Sequence, residues 1–494
     1  LIGENKYKSH ILRKPMQKQH KKDGFGKILG IVILIIFIGG GIFMLSSDKF
    51  EKETPKISIK EEAVWNLKDY FPIQITDNSG IYNYTISLVL NQEKIPLQTQ
   101  ILSSKDSQCL NDGAELTPSQ EIQESPKSLC IGIQKPKNIK NSTKEITLET
   151  QATDTSKWNF FAGNTTTQTI HIPIDTKKPQ LAILSHSYKI TQGGSALVVF
   201  RAIDDNLKQI RISNGKSDFF PQPFYKEGFY ISLIAWVKNN SDFNAKIYVS
   251  DKAGNVSITP INFYLQKKQY RSSTIPLTDS FIDGKISTLV QEIGEKDLED
   301  FPDKLSIFKY INEDVRKSNA AKVYETASNY DRETLVENFS IQPFLPLKNG
   351  AVMASFGDHR TFNYQGQNVS ESNHMGLDLA STKQAPILLS NPGVVTLSEF
   401  VGINGNTLII YHGLGLSTLY AHLTSQNVNV GDTLNAGEVI AKTGNTGLAL
   451  GDHLHFSVLV QGHEVWTAEW LDSHWIKANI TDIINEAKLI INQL

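Results

Sequence analysis

The 494-residue sequence predicts a mainly β chain: an N-terminal transmembrane helix, two β-sandwich-like modules, a helical connector, and a C-terminal antiparallel β domain punctuated by glycine. Three observations lead there. An uncharged apolar run stands near the N-terminus. Short alternating runs divided by polar turns fill most of the remainder, and a charged stretch with apolar residues three and four apart interrupts them. With 40% hydrophobic and 20% charged residues the chain can bury more than one core, which excludes a disordered or fibrous protein. The formal net charge of -2, with no basic run interleaved with aromatics beyond the extreme N-terminus, excludes nucleic acid as an expected partner.

Taken in order, residues 1–27 form a basic tail, with Lys6, Lys8, Arg13, Lys14, Lys18, Lys21, Lys22 and Lys27 set against Glu4 and Asp23. Residues 28–45, "ILGIVILIIFIGGGIFML", are long enough at about 1.5 Å per residue to cross most of a roughly 30 Å hydrocarbon layer. The positive-inside bias leaves the tail in the cytoplasm and everything after about Ser46 outside. "MLSSDKF" offers no small-x-small cleavage site, so a retained single-pass anchor in the cytoplasmic (inner) membrane is expected. Residues 56–174 alternate as in "YNYTISLVL" and "KEITLETQA" and read as a β-rich module. A second, immunoglobulin-like β module is expected at 175–267. Residues 268–342 read as amphipathic helices, a structural connector in preference to a regulatory element docked over a site. The all-β domain follows at 343–478, and an amphipathic helix at 479–494 ends the chain with one apolar docking face. Cys109 and Cys130 lie in the exported part, where a disulfide is permitted.

Eight of the twelve histidines fall between Pro343 and Trp475, which directs the search for chemistry there. In "DHLHFSVLV", His453 and His455 are two apart, so on a strand they share one face while Leu454 and Phe456 share the packed one. In "NHMGLDLAS", His374 and Asp378 are four apart. On a straight strand they would be separated by roughly 13 Å, so the chain must bend for them to meet, and Gly376 stands at the place. His422 ends the alternating run "LSTLYAHL". A zinc site needs three protein ligands and an open position, and hydrolysis needs further groups to orient water and stabilise the oxyanion. Five residues, His374, Asp378, His422, His453 and His455, have the number and types for both. His412 is expected to support a strand end, and Trp466, Trp470 and Trp475 to close the domain with an indole N–H aimed at an acceptor.

"FGDHR", "NHMGLDLAS", "LYAHL" and "TGNTGLALGDHLHF" resemble, in order and in glycine-rich spacing, the signature blocks of lysostaphin-type (LytM-type) zinc metallopeptidases that cut peptide bonds in bacterial peptidoglycan. The resemblance covers about residues 343–475. It implies one Zn²⁺ per chain held by His374, Asp378 and His455, with His422 and His453 assisting catalysis. Chemical roles within that assisting pair stay undivided at this point. The layout also resembles membrane-anchored Gram-negative members, which implies domains in the periplasm, peptidoglycan as partner, and β modules available to cell-wall or division proteins. The implied activity is a zinc-dependent endopeptidase for cell-wall remodelling. The rival is a catalytically weak peptidase-like regulator that binds peptidoglycan and activates another hydrolase; such relatives lack ligands, whereas all five positions are filled here.

Overall fold

The computed structural model describes residues 23–97, 99–101 and 126–494, which divide at residue 176 into two compact units. Strands dominate both units, as the alternating sequence requires.

The first unit opens with the helix Asp23–Ser46. Its segment Lys27–Met44, with mean hydropathy 2.5 and no residue buried, is long and apolar enough to cross a membrane. Two antiparallel four-stranded sheets follow. One runs in the order Lys56–Ser58, Phe71–Thr76, Ser128–Ile133, Thr99–Ile101, and the other Glu93–Pro96, Ile81–Leu90, Glu145–Asp154, Thr165–Pro173. "FPIQIT" alternates between buried and half-buried side chains because a pleated strand sends successive residues to opposite faces. Ile73 and Ile131 from the first sheet meet Leu88 and Leu148 from the second in one apolar core, which makes the pair a sandwich. Cys130 is buried and disulfide-bonded, while Cys109 lies outside the described residues.

The second unit holds two further four-stranded sheets, built from strands between Gln180 and Pro260. The charged segment after them is helical over Ser287–Ile293, Lys304–Lys309 and Arg316–Ser328, with π-helical turns at Ile282–Ile286 and Tyr310–Val315. It also contributes a strand, Ser272–Pro276, which pairs in parallel with His359–Tyr364 and so fixes the segment to the C-terminal domain. That domain is organised on a large antiparallel sheet in the order Ala351–Ala354, Leu377–Ala380, Leu454–Val460, Leu416–Leu423, Asn406–Tyr411, Gly393–Phe400, Thr433–Leu434. All eight residues of the strand Leu416–Leu423 are buried, as expected of a central strand covered on both faces.

One apolar core runs through this unit. Leu197 and Phe200 of the preceding β sheets, Tyr420 and Phe456 of the large sheet, and Ile484 and Ile491 of the C-terminal helix Asp482–Gln493 belong to the same cluster. The docking face expected of the last helix lies against the strands Gln180–His186 and Ser195–Ile203, and Ser187 Oγ donates to Asn479 O at 3.1 Å just before that helix begins. The Trp470 indole donates to Ser195 Oγ at 3.0 Å, which joins the end of the C-terminal domain to the β sheets before it.

Candidate metal centre

The strand Leu454–Val460 sets the site. Leu454 and Phe456 are fully buried, while the side chains of His453 and His455 remain 17% and 14% exposed on the opposite face. Alternation alone accounts for this. Asp378 is the direct cross-strand neighbour of His455, so its carboxylate reaches the same space, with Oδ1 2.8 Å from His455 Nδ1. His374 lies just past the end of the strand Gln367–Asn373, and the chain bends through Met375 and Gly376 before resuming at Leu377. Gly376 is needed for space: a Cβ there would fall 2.5 Å from the His455 ring. The bend carries His374 Nε2 to 2.9 Å from Asp378 Oδ1 and 3.1 Å from His455 Nδ1.

Three ligand-type atoms thus converge, and their other hydrogen bonds fix what they present to one another. His374 Nδ1 lies 3.0 Å from Ser355 O, a pure acceptor, so it carries the proton and Nε2 presents a lone pair. Ser457 Oγ donates to Met375 O, which leaves it to accept from His455 Nε2 at 3.1 Å and makes Nδ1 of that ring a lone pair as well. Burial works against the charge on Asp378, and only positive charge at the facing nitrogens can outweigh it: protons on His374 and His455 there would hold the carboxyl well below its usual range, and a cation shared by the three atoms would act in the same sense. Burial lowers the His455 pKa despite the adjacent carboxylate. Two neutral imidazole lone pairs and a carboxylate oxygen facing one another at 2.8–3.1 Å repel unless a cation joins them. The donor set fits a metal ion, and zinc by ligand type.

His422 reaches the site by a different route. Ala421 pairs with His455, so strict alternation would turn His422 toward Tyr420 and Phe456, into the core. A bulge intervenes: between the pairs Asn406–Leu423 and Leu408–Tyr420, two residues oppose one, and His422 takes φ +61°. That conformation is uncommon outside glycine and costs on the order of 1–3 kcal/mol. It brings the His422 ring centroid to 4.7 Å from that of His453 and 5.9 Å from that of His455. His422 Nδ1 donates to Thr446 O and His453 Nδ1 to Gly451 O, each at 2.8 Å, so both rings present an unprotonated Nε2. Burial first, and the neighbouring His455 and His453 second, push the His422 pKa down to about 3. The loop holding Thr446 is packed so closely that a Cβ on Gly447 would lie 2.2 Å from Gly405 N. All five residues line one cleft of about 680 Å³.

Residues 372–466 match the model for peptidase family M23. The C-terminal part of this chain is an M23 peptidase domain. All five site residues fall inside the matched range. DD-carboxypeptidase/endopeptidase Mpg of Neisseria meningitidis serogroup B is 38% identical over 92 residues, which is 19% of this chain and 21% of its own length. Peptidoglycan DD-endopeptidase ShyB of Vibrio cholerae serotype O1 is 30% identical over 177 residues, 35% of this chain and 40% of its own. This chain therefore matches less than half the length of either relative. The crystallised catalytic domain of lysostaphin from Staphylococcus simulans superposes with a TM-score of 0.23 at 24% identity, over 25% of this chain and 94% of its own.

Several groups around the M23 site escape sequence reasoning. Ser457 shares the face of His455 by simple parity, a polar residue in an apolar strand, and that signal could have found it. Ser355 and Thr446 act through backbone carbonyls and leave no trace in residue type. Asp358, in the "FGDHR" block, exchanges backbone bonds with this region: His374 N donates to Asp358 O at 2.9 Å, and Gly357 N to His374 O at 2.7 Å. His412 supports a strand end as expected, held between Pro392 O and Thr418 Oγ1 at 2.8 Å each.

Proposed function

We propose that the protein is a zinc-dependent endopeptidase that hydrolyses peptide cross-links or stem peptides of peptidoglycan, anchored by its N-terminal helix in the inner membrane with its M23 domain in the periplasm. The observation that carries this reading is the convergence of three lone-pair donors, His374 Nε2, Asp378 Oδ1 and His455 Nδ1, beside two further unprotonated imidazole nitrogens. When bound there, Zn²⁺ supplies Lewis-acid polarisation of a peptide carbonyl and acidifies water in the cleft.

The chain's own residues do the remainder. Ser355 O and Ser457 Oγ lock the ring tautomers so that lone pairs stay aimed inward. Nε2 of His422 or of His453 accepts a proton from the attacking water and, once protonated, donates to the developing oxyanion or returns the proton to the leaving amine. Burial and its histidine neighbours keep His422 uncharged in the resting site, with its pKa at about 3. That the Vibrio cholerae relative is named a peptidoglycan DD-endopeptidase supports this substrate class.

The test uses the full chain in detergent, with zinc measured by elemental analysis and soluble peptide fragments released from purified sacculi measured by chromatography. About one zinc per chain and chelator-sensitive release are expected. A folded chain that binds sacculi, carries no zinc and releases nothing would overturn the enzyme reading in favour of the regulator.

A further inference from the structure

Three guanidinium groups line the cleft beside the metal centre, Arg271, Arg316 and Arg360, and all three lie outside the residues that match the M23 model. Arg360 is engaged with the site's own acids, its Nη2 3.9 Å from Asp378 Oδ2 and its Nε 3.4 Å from Asp358 Oδ2. The other two are not. Arg316 donates from Nε and Nη2 to the side-chain oxygen of Asn312, at 3.2 and 2.9 Å, a neutral partner. Among the described residues it makes no direct ion pair, and burial, then the charge of Arg360, push its pKa down to about 10 against the opposing pull of Glu464. Arg271 accepts His359 N at its carbonyl, and its exposed guanidinium makes no hydrogen bond or ion pair among the described residues.

The acids in the same lining do not answer these cations. Asp378 belongs to the metal centre, Asp358 accepts from Ser273 Oγ at 2.8 Å, and Asp452 accepts from Gln384 N and Thr443 Oγ1 at 3.0 and 2.6 Å. The acid that Arg316 does feel is Glu464, outside the lining, whose own pKa burial raises to about 7, so at neutral pH it offsets the guanidinium charge only in part. A largely desolvated cation so weakly answered is costly, and folding alone gives little reason to keep one. Yet the chain holds Arg316 firmly. Asn312 is 1% exposed and tied by Nδ2 to Ser370 Oγ at 2.9 Å, in the π-helical turn Tyr310–Val315 that brings it against the strand Gln367–Asn373. The planar fork is preorganised, with N–H donors left over, and such a fork fits a carboxylate through two parallel bonds.

Resting on the endopeptidase reading, we infer that Arg316 and Arg271 form a carboxylate-recognition subsite that selects peptides bearing a free carboxylate near the scissile bond over neutral bridges such as oligoglycine. The helical segment is thereby part of the substrate cleft, supplying one wall and its positive charge.

The experiment compares native sacculi with the same sacculi after carbodiimide-mediated amidation of their carboxyl groups. Binding of the full chain is followed by co-sedimentation in chelator, where nothing is cut, and cleavage by fragment release with zinc. Amidation is expected to weaken both by at least about tenfold. Arg316→Gln and Arg271→Gln are each expected to weaken action on native sacculi similarly while changing action on amidated sacculi by less than about twofold. Arg316→Lys should recover part of the loss, because charge returns without the fork. Melting should be unchanged or raised in Arg316→Gln, since a desolvated cation with no direct ion pair has been removed and Glu464, its pKa already raised to about 7, can take up a proton. Equal handling of native and amidated sacculi, or undiminished discrimination in both variants, overturns the proposal, as does a lowered melting temperature in Arg316→Gln with discrimination intact. Discriminating binding without cleavage sustains the subsite and removes the enzyme reading; cleavage without discrimination does the reverse.

Discussion

Asp378 and Glu469 are both carboxyls withdrawn from water in the unit 177–494, and they end in opposite charge states. Glu469 is 4% exposed; Oε2 accepts from Ser195 N at 2.9 Å and from Ser195 Oγ at 3.3 Å. Burial pushes its pKa up to about 8 even though those bonds pull the other way, so it is largely protonated at neutral pH. Asp378, with two imidazoles against one oxygen and an open cleft beside it, stays ionised when those rings turn protons toward it or a cation joins the three. Burial acts in the same direction on both. What separates them is the company: neutral donors in a closed core leave the proton in place, whereas ring nitrogens gathered around a cleft favour charge once protons or a cation stand between them and the carboxylate. The first arrangement fastens the fold, and the second is suited to holding an ion.

The largest expected effect tests the charged member. Asp378→Asn keeps the shape and removes the charge; the full chain is expected to lose its zinc and to release fragments at least about 10³-fold more slowly, by elemental analysis and turnover. Retained metal would dissolve the contrast with Glu469. A smaller effect sharpens the boundary of the donor set. His453→Ala and His422→Ala are each expected to keep the metal and to lower kcat by about 10²–10³-fold, the scale of a lost proton-transfer group or oxyanion donor. Metal loss in either variant would move that residue among the ligands.

The smallest effect concerns Glu469. Its folded pKa lies above the unfolded value, so between about pH 4.5 and 8 the folded state binds the extra proton. Stability from this group is full below that window and is lost as pH rises through it. Glu469→Gln should remove this loss, raising melting temperature relative to the native chain at pH 8 more than at pH 5 while leaving turnover unchanged. An identical pH profile in the two proteins would show that Glu469 is ionised throughout.

Much of the centre was legible because strand parity is a rigid rule. His453 and His455 had to share a face, Leu454 and Phe456 had to pack, and His374 could meet Asp378 only across a bend. The resemblance then divided the five into three implied ligands and two assisting residues. Geometry that breaks parity was not legible: nothing in "LYAHL" announces that a bulge and a positive φ turn His422 out of the core. Backbone partners such as Ser355 O and Thr446 O are invisible to residue type. Arg271 and Arg316 stand in text that reads as connector, and a register between Ser272–Pro276 and His359–Tyr364 brings the first of them to the cleft wall. The indole of Trp470 was expected to find an acceptor; that the acceptor is Ser195, 275 residues earlier in the chain, was not legible.

That last bond, with the helix Asp482–Gln493 laid on strands that begin at Gln180, bears on how the protein can be dissected. A fragment starting at Pro343 would carry every group of the metal centre and still leave Ile484, Ile491 and Trp470 facing solvent, an apolar scar prone to self-association. The piece that keeps its own interior intact begins after Thr176, so the smallest well-behaved fragment carrying the metal centre is more than three times the length of the stretch that matches the family.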